Sequence, residues 1–127
     1  MICIDTSALM AILLEEPEGE RCQRAIAFDD KPIISAANLA EALIAAGRRG
    51  LQSEMQSLIE GLSIGVIEVT QETALRAADA YSRLGRGNHP ARLNYGDCFA
   101  YEVARTHDCS LLFIGDDFSQ TDVESVL

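Results

Sequence analysis

Apolar and polar positions along the chain predict short buried strands separated by amphipathic helices. The runs at residues 2–4 and 111–114 are continuously apolar and of strand length. The predicted strands are residues 1–5, 33–35, 64–69 and 111–114. In the predicted helices the apolar residues recur every three or four positions, at residues 6–15, 18–28, 38–49, 52–60, 71–84 and 95–106.

Strands that alternate with helices predict an α/β fold, a parallel sheet with helices on both faces. In such sheets ligands bind at the carboxyl ends of the strands. A chain of 127 residues suits one compact domain, so we expect a single domain over residues 1–127.

Composition and charge limit the range of possible functions. The four cysteines form no CxxC pair and have no zinc spacing, so we expect reduced thiols in a cytoplasmic protein. No apolar run approaches the roughly 20 residues of a membrane helix. The net charge of −10 opposes contact with nucleic acid, unless divalent cations or a basic partner reverse the local field.

Carboxylates stand where the predicted fold would gather them. Asp5 follows the first strand, and Asp116 and Asp117 follow the last. Glu41 lies in an otherwise apolar helix, and Asp97 opens another, where the helix dipole is expected to keep it ionised. Oxygen-only ligands predict Mg²⁺, with Mn²⁺ as the alternative ion. Such metals activate water and neutralise charge on a scissile phosphate.

Each of these acids also has a purely structural interpretation. Asp5 precedes Thr6 and Ser7 and is suited to cap a helix, as is Asp97 at the start of its helix. Asp116 and Asp117 are compatible with a solvated turn. Only their convergence on one sheet edge favours a functional site.

The ordered motifs resemble those of a known family. DTSAL at residues 5–9, the segment 35–41, LNYGDC at 93–98 and LLFIGDDF at 111–118 are similar to motifs of the PIN-domain ribonucleases, specifically the VapC toxins of bacterial toxin–antitoxin pairs. The resemblance covers nearly the whole chain. It implies a PIN-like three-layer sandwich with a short parallel sheet of about four to five strands. It also implies Mg²⁺-dependent cleavage of RNA, inhibition by a VapB-type antitoxin, and a homodimer or a higher toxin–antitoxin complex.

By this resemblance Asp5 and Asp97 match the two family acids that are best established as metal ligands, and Glu41 matches the third acid. Many members place the fourth acid where this chain has Gly115, so Asp116 or Asp117 must replace it. We place Asp116 among the metal ligands, count Asp117 with the catalytic acids, and keep Asp122 as a distant candidate. Thr6 matches a hydroxyl position beside the first acid. Its hydroxyl either helps to hold Asp5 or a metal-bound water, or it caps the helix.

Two further surfaces follow from the sequence. The loop at residues 85–92 carries Arg86 and Arg92 and leads into Asp97, so these arginines either contact RNA phosphate or are merely solvated. An apolar set on the first two helices forms either core or a groove for an amphipathic antitoxin segment. Its members are Leu9, Ile12, Leu13 and Ile26.

Two other classes compete with the ribonuclease. Receiver domains and aspartyl-phosphatases also place acids at strand ends, but they rely on a lysine, and the one lysine here, Lys31, lies in a turn beside a proline. The phosphatase DxD motif is absent as well. A catalytically weak PIN-like binding module would lack an acid, whereas every acid position here can be filled.

Overall fold

The computed structural model describes residues 1–127 as six helices and four strands. Most boundaries lie within two residues of those predicted from the sequence. In chain order the elements are β1 (Ile2–Ile4), α1 (Thr6–Leu13), α2 (Gly19–Phe28), β2 (Pro32–Ser35), α3 (Ala36–Gly47), α4 (Gln52–Gly61), β3 (Gly65–Ile67), α5 (Gln71–Leu84), α6 (Tyr95–Thr106) and β4 (Ser110–Leu112).

The four strands form one parallel sheet in the order β3-β2-β1-β4. This confirms the predicted α/β class. The C-terminal segment covers the outer edge of β4, because Leu111 N donates to Glu124 O over 2.8 Å and Val126 N donates to Leu111 O over 3.1 Å. The two strands that precede predicted acids, β1 and β4, are therefore neighbours.

Alternating strand residues supply two core layers, one on each face of the sheet. Cys3, Ile33 and Leu111 pack against α5 and α6. The intervening residues Ile4 and Leu112 pack on the opposite face, against α1, α2, α4 and the inner side of α3. Helices therefore cover both faces, as predicted, because each strand alternates between two apolar environments.

Of the two alternatives for the apolar set on the first two helices, core or antitoxin groove, the structure shows the core. Leu9, Ile12 and Ile26 are at most 9% exposed and belong to the core layer that contacts the sheet. Leu13 is only partly exposed and packs against the same layer. Two short helices beside a three-layer core need this apolar area for the core itself.

Two boundaries differ from the prediction for local reasons. Strand β4 ends at Leu112 instead of residue 114, because its neighbour β1 turns into α1 after Asp5. The last ladder bond runs from Asp5 N to Leu112 O over 2.9 Å, and Ile114 N donates to Ser7 Oγ over 3.0 Å. Helix α3 begins at Ala36 instead of residue 38, because Ser35 Oγ caps it by accepting from Ala37 N.

None of the six helices has both the length and the apolar character of a membrane span.

Candidate active site

The parallel topology brings the predicted acids to the carboxyl-terminal edge of the sheet. Asp5 leaves β1, and the turn that contains Asp117 leaves the neighbouring β4. Glu41 lies on α3, which follows β2 directly, and Asp97 is the third residue of α6. Each of these side chains lies within electrostatic range of others in the set. The negative charges of Glu41 and Asp117 act on Asp5, and those of Asp5, Asp117 and Glu41 act on Asp97.

Asp5 is a helix cap as well as a member of the acid cluster. Its Oδ2 accepts from Ser7 N over 3.1 Å and from Ser7 Oγ over 2.6 Å, and the residue is 5% exposed. Ser7 Oγ in turn accepts from Ile114 N. These bonds fix one oxygen of Asp5 and tie the ends of β1 and β4 together, while Oδ1 accepts no hydrogen bond.

Asp97 has the same double character. Its Oδ2 accepts from Asn94 N over 3.0 Å, and Asn94 Oδ1 accepts from Asp97 N over 2.8 Å, which forms a capping box. Asp97 is 7% exposed. The structural and the functional interpretation of this residue are therefore compatible, since the cap occupies one oxygen only.

Glu41 is held by hydrogen-bond donors from two helices. Its Oε1 accepts from Thr6 Oγ1 over 2.6 Å and from Asn38 Nδ2 over 3.2 Å. Thr6 therefore supports Glu41 instead of capping a helix or holding Asp5. A Cβ at Gly96 would collide with Glu41 Oε2, so Glu41 lies directly against the start of α6.

The cluster of Asp5, Glu41, Asp97 and Asp117 has no cationic side chain paired with it. None of the ion pairs in the protein involves Asp5, Glu41, Asp97 or Asp117. Burial raises the pKa of Asp5, and the neighbouring carboxylates raise it further, against hydrogen bonds from Ser7 that lower it. Burial raises the pKa of Asp97 to about 7. The expectation that the helix N-terminus keeps Asp97 ionised is wrong, because desolvation and like charges outweigh it.

The structure separates the three candidates for the fourth acid. The negative charge of Asp117 raises the pKa of both Asp5 and Asp97, whereas Asp116, our choice as a metal ligand, is not among the main charges that act on either. Asp122 lies elsewhere, where it accepts from Tyr101 Oη over 2.8 Å and pairs with Arg105 at 3.6 Å. Gly115, where many family members have an acid, has φ +99°, a conformation that disfavours any side chain.

The donor set fits a hard divalent cation by its chemistry. Carboxylate oxygens are the ligands that Mg²⁺ prefers, and the cluster has no other counter-charge. The side chains do not form a closed cage, since no three His, Cys, Asp or Glu side chains are arranged to hold an ion. The oxygens that accept no hydrogen bond are Oδ1 of Asp5 and of Asp97, Oε2 of Glu41 and both oxygens of the exposed Asp117.

The basic loop lies next to α6. A single bridge between Gly85 and Leu93 closes it, with Arg86 N donating to Leu93 O over 3.1 Å. Arg86 and Arg92 are therefore the loop residues next to the two bridged positions, and Asn94, which caps α6, follows directly after the loop. Both side chains are exposed and neither forms an ion pair.

Three supporting residues were not singled out as site residues from the sequence. Ser7, Asn38 and Asn94 hold Asp5, Glu41 and Asp97 respectively. Asn94 could have been found from the capping-box spacing to Asp97. Asn38 could have been found as the one polar residue among the alanines and leucine that precede Glu41.

The raised pKa of Asp97 predicts a pH-dependent stability in metal-free protein. The folded-state pKa of about 7 exceeds the ordinary aspartate pKa of 3.8, so the stabilising proton is bound at low pH and is lost as pH rises through 7. Asp97→Asn keeps a cap acceptor but carries no charge. In EDTA we expect this variant to be more stable than wild type by at least about 1 kcal/mol at pH 8, with the advantage lost at pH 4. Urea unfolding at both pH values measures this, and equal stability at pH 8 would contradict it.

Curated relatives match over almost the full chain. Ribonuclease VapC of Mycolicibacterium smegmatis is 40% identical, over 97% of this chain and 98% of the relative. Ribonuclease VapC30 of Mycobacterium tuberculosis is 39% identical, over 97% of this chain and 96% of the relative.

Solved structures share the fold. A toxin–antitoxin complex from Klebsiella pneumoniae matches with a TM-score of 0.76 and 18% identity, over 100% of this chain and 97% of the other. VapC20 of Mycobacterium tuberculosis, a toxin that cleaves the sarcin–ricin loop, matches with a TM-score of 0.74 and 20% identity. The match covers 98% of this chain and 99% of the other.

The family model of the PIN domain matches residues 2–124, which include every member of the acid cluster. With relatives at 39–40% identity over nearly their whole length, the chain belongs to the PIN-domain family, within its VapC ribonucleases.

Proposed function

We propose that this protein is a Mg²⁺-dependent endoribonuclease that acts as the toxin of a toxin–antitoxin pair. Residues 1–127 are proposed to form a single PIN-like domain that works in the cytoplasm, with Mn²⁺ as the alternative ion. The observation that carries the proposal is the cluster of Asp5, Glu41, Asp97 and Asp117 at one sheet edge without a cationic partner. The curated relatives named as ribonucleases support the same activity.

The protein's own residues prepare the site. Ser7 and Asn94 each hold one oxygen of Asp5 and Asp97, which leaves the other oxygen of each for a ligand. Thr6 holds Glu41 in the same way. When bound, the divalent ion supplies an activated water and neutralises charge on the scissile phosphate. We assign the fourth ligand to Asp117 because its charge acts on both Asp5 and Asp97.

Isosteric amide variants test the acid assignment. We expect Asp97→Asn and Asp117→Asn to lower Mg²⁺-dependent RNA cleavage by about 100-fold or more, because each removes an anionic ligand. Asp116→Asn and Asp122→Asn are the matched controls and should keep activity within about threefold of wild type. Initial rates on a labelled RNA measure all four. Wild-type rates for Asp97→Asn would overturn the mechanism, and a loss confined to Asp116→Asn would reassign the fourth acid.

The loop arginines are proposed to contact RNA phosphate next to the cluster. Their support is exposure, freedom from ion pairs and proximity to the start of α6. For the double variant Arg86→Ala/Arg92→Ala we expect kcat/KM to fall about tenfold at low salt and the slope of log(kcat/KM) against log[salt] to flatten by about 1. The control is Arg21→Ala/Arg24→Ala, which removes two exposed arginines from α2. An unchanged salt slope in the loop variant would rule out the contact.

A VapB-type antitoxin and a second copy of the chain are the proposed protein partners. Two fold neighbours support the first, one described as a toxin–antitoxin complex from Klebsiella pneumoniae and the other as DNA-bound VapBC from Salmonella typhimurium. For the second, Tyr95 is 77% exposed and Ile44 is 61% exposed. Two apolar grooves of about 320 and 500 Å³ share Tyr95 and Phe99 in their walls. A projecting ring beside grooves on one face suits a two-fold contact.

Light scattering after size exclusion tests both partners. We expect the isolated chain to have the mass of a dimer, and co-expression with the small protein encoded beside it to yield a heteromeric complex with suppressed RNA cleavage. A stable, fully active monomer that ignores the neighbouring gene product would contradict both expectations.

A further inference from the structure

A buried amide joins the two helices that carry Glu41 and Asp97. Asn38 is 0% exposed at the third position of α3. Its Nδ2 donates to Glu41 Oε1 over 3.2 Å and to Gly96 O, on α6, over 3.0 Å. Its backbone carbonyl accepts from Thr6 Oγ1 over 3.2 Å. Asn38 therefore contacts Glu41 itself, Thr6 on α1 and Gly96 on α6.

The orientation of this amide is determined by its neighbours. Glu41 Oε1 and Gly96 O are both acceptors, so the nitrogen must face them and the oxygen must point away. Asn38 Oδ1 is then the only buried side-chain nitrogen or oxygen in the protein without a hydrogen-bond partner. A buried unpaired acceptor destabilises the folded state, so it offsets part of what the two hydrogen bonds donated by the same amide contribute to stability.

The geometry shows what the amide accomplishes. Thr6 and Asn38 together hold Glu41 Oε1, so Oε2 is the oxygen left free, and it lies against Gly96. Gly96 immediately precedes Asp97. The same NH₂ group that orients Glu41 thus anchors the peptide directly before Asp97, and a shift of one acid relative to the other would break one of the two hydrogen bonds.

We propose that Asn38 is a positioning residue that sets the separation of Glu41 and Asp97, so that both present an oxygen to the same divalent cation. The inference rests on the proposed function, and it adds a residue that touches neither ion nor RNA. Groups that orient metal ligands typically change metal affinity or activity by about 10- to 100-fold when removed.

The test uses Asn38→Leu, which has the same number of side-chain heavy atoms and no amide. We expect its melting temperature in EDTA to fall no further than that of Ser35→Ala, because the loss of the unpaired acceptor offsets part of the loss of the hydrogen bonds to Glu41 and Gly96. We expect its affinity for Mn²⁺, measured by titration calorimetry, to fall about 10- to 100-fold, and kcat for RNA cleavage to fall with it. Ser35→Ala is the matched control, since Ser35 is equally buried and caps the same helix but does not contact Glu41. It should melt at a lower temperature and bind Mn²⁺ as wild type does.

Other outcomes separate this inference from the proposed function. Wild-type affinity for Mn²⁺ in Asn38→Leu would overturn the positioning assignment and leave the metal-dependent nuclease intact. So would a loss of affinity shared by Ser35→Ala, since it would follow from destabilisation alone. Failure of the unmodified chain to bind Mn²⁺ would overturn the proposed metal dependence and this inference with it. Asn38→Ala, measured in the same way, decides the question if Asn38→Leu does not fold.

Discussion

Mutual repulsion among carboxylates at the end of a parallel sheet is the constraint on which this structure depends. Two of the acids, Asp5 and Asp97, are buried, and no arginine or lysine is paired with them. Burial and like charge both oppose ionisation, which is why the pKa of Asp97 lies near 7. A site of this kind is poorly stable when empty, and it is suited to bind a cation for the same reason.

The fold tolerates the repulsion by giving each acid neutral hydrogen-bond donors. Asp5 caps α1, Asp97 accepts from Asn94 N in the capping box of α6, and Glu41 accepts from a hydroxyl and an amide. Each of these arrangements occupies one carboxylate oxygen and restricts the side chain without neutralising it. The positions of the acids are therefore set before any ion binds, which reduces the entropy lost on binding.

The same arrangement resolves the conflict between an acidic protein and a polyanionic substrate. A net charge of −10 repels RNA at long range. In the proposed mechanism a divalent ion at the acid cluster would reverse the sign of the field where the phosphate must approach. Arg86 and Arg92, which form no ion pair, lie in the loop that leads into α6. The remaining acidic surface is then available to a basic partner.

The sequence by itself determined the sheet class, the helix positions and three of the four clustered acids. Periodicity and strand-end acids are local signals, and the parallel topology turns them into a common edge, so Asp5, Glu41 and Asp97 could be found without coordinates. The sequence left Asp116 and Asp117 open, and only the tertiary structure shows that the charge of Asp117 acts on both Asp5 and Asp97, since this depends on how the turn after β4 folds back towards β1 and α6. The tertiary structure also showed that Leu9, Ile12 and Ile26 are core residues. It showed as well that Thr6 and Asn38 donate hydrogen bonds to Glu41. Both findings depend on how separate helices pack, which the sequence does not reveal. The raised pKa of Asp97 also required the tertiary structure. A position at the start of a helix predicts a lowered pKa, and only the burial of the side chain shows that the pKa is raised.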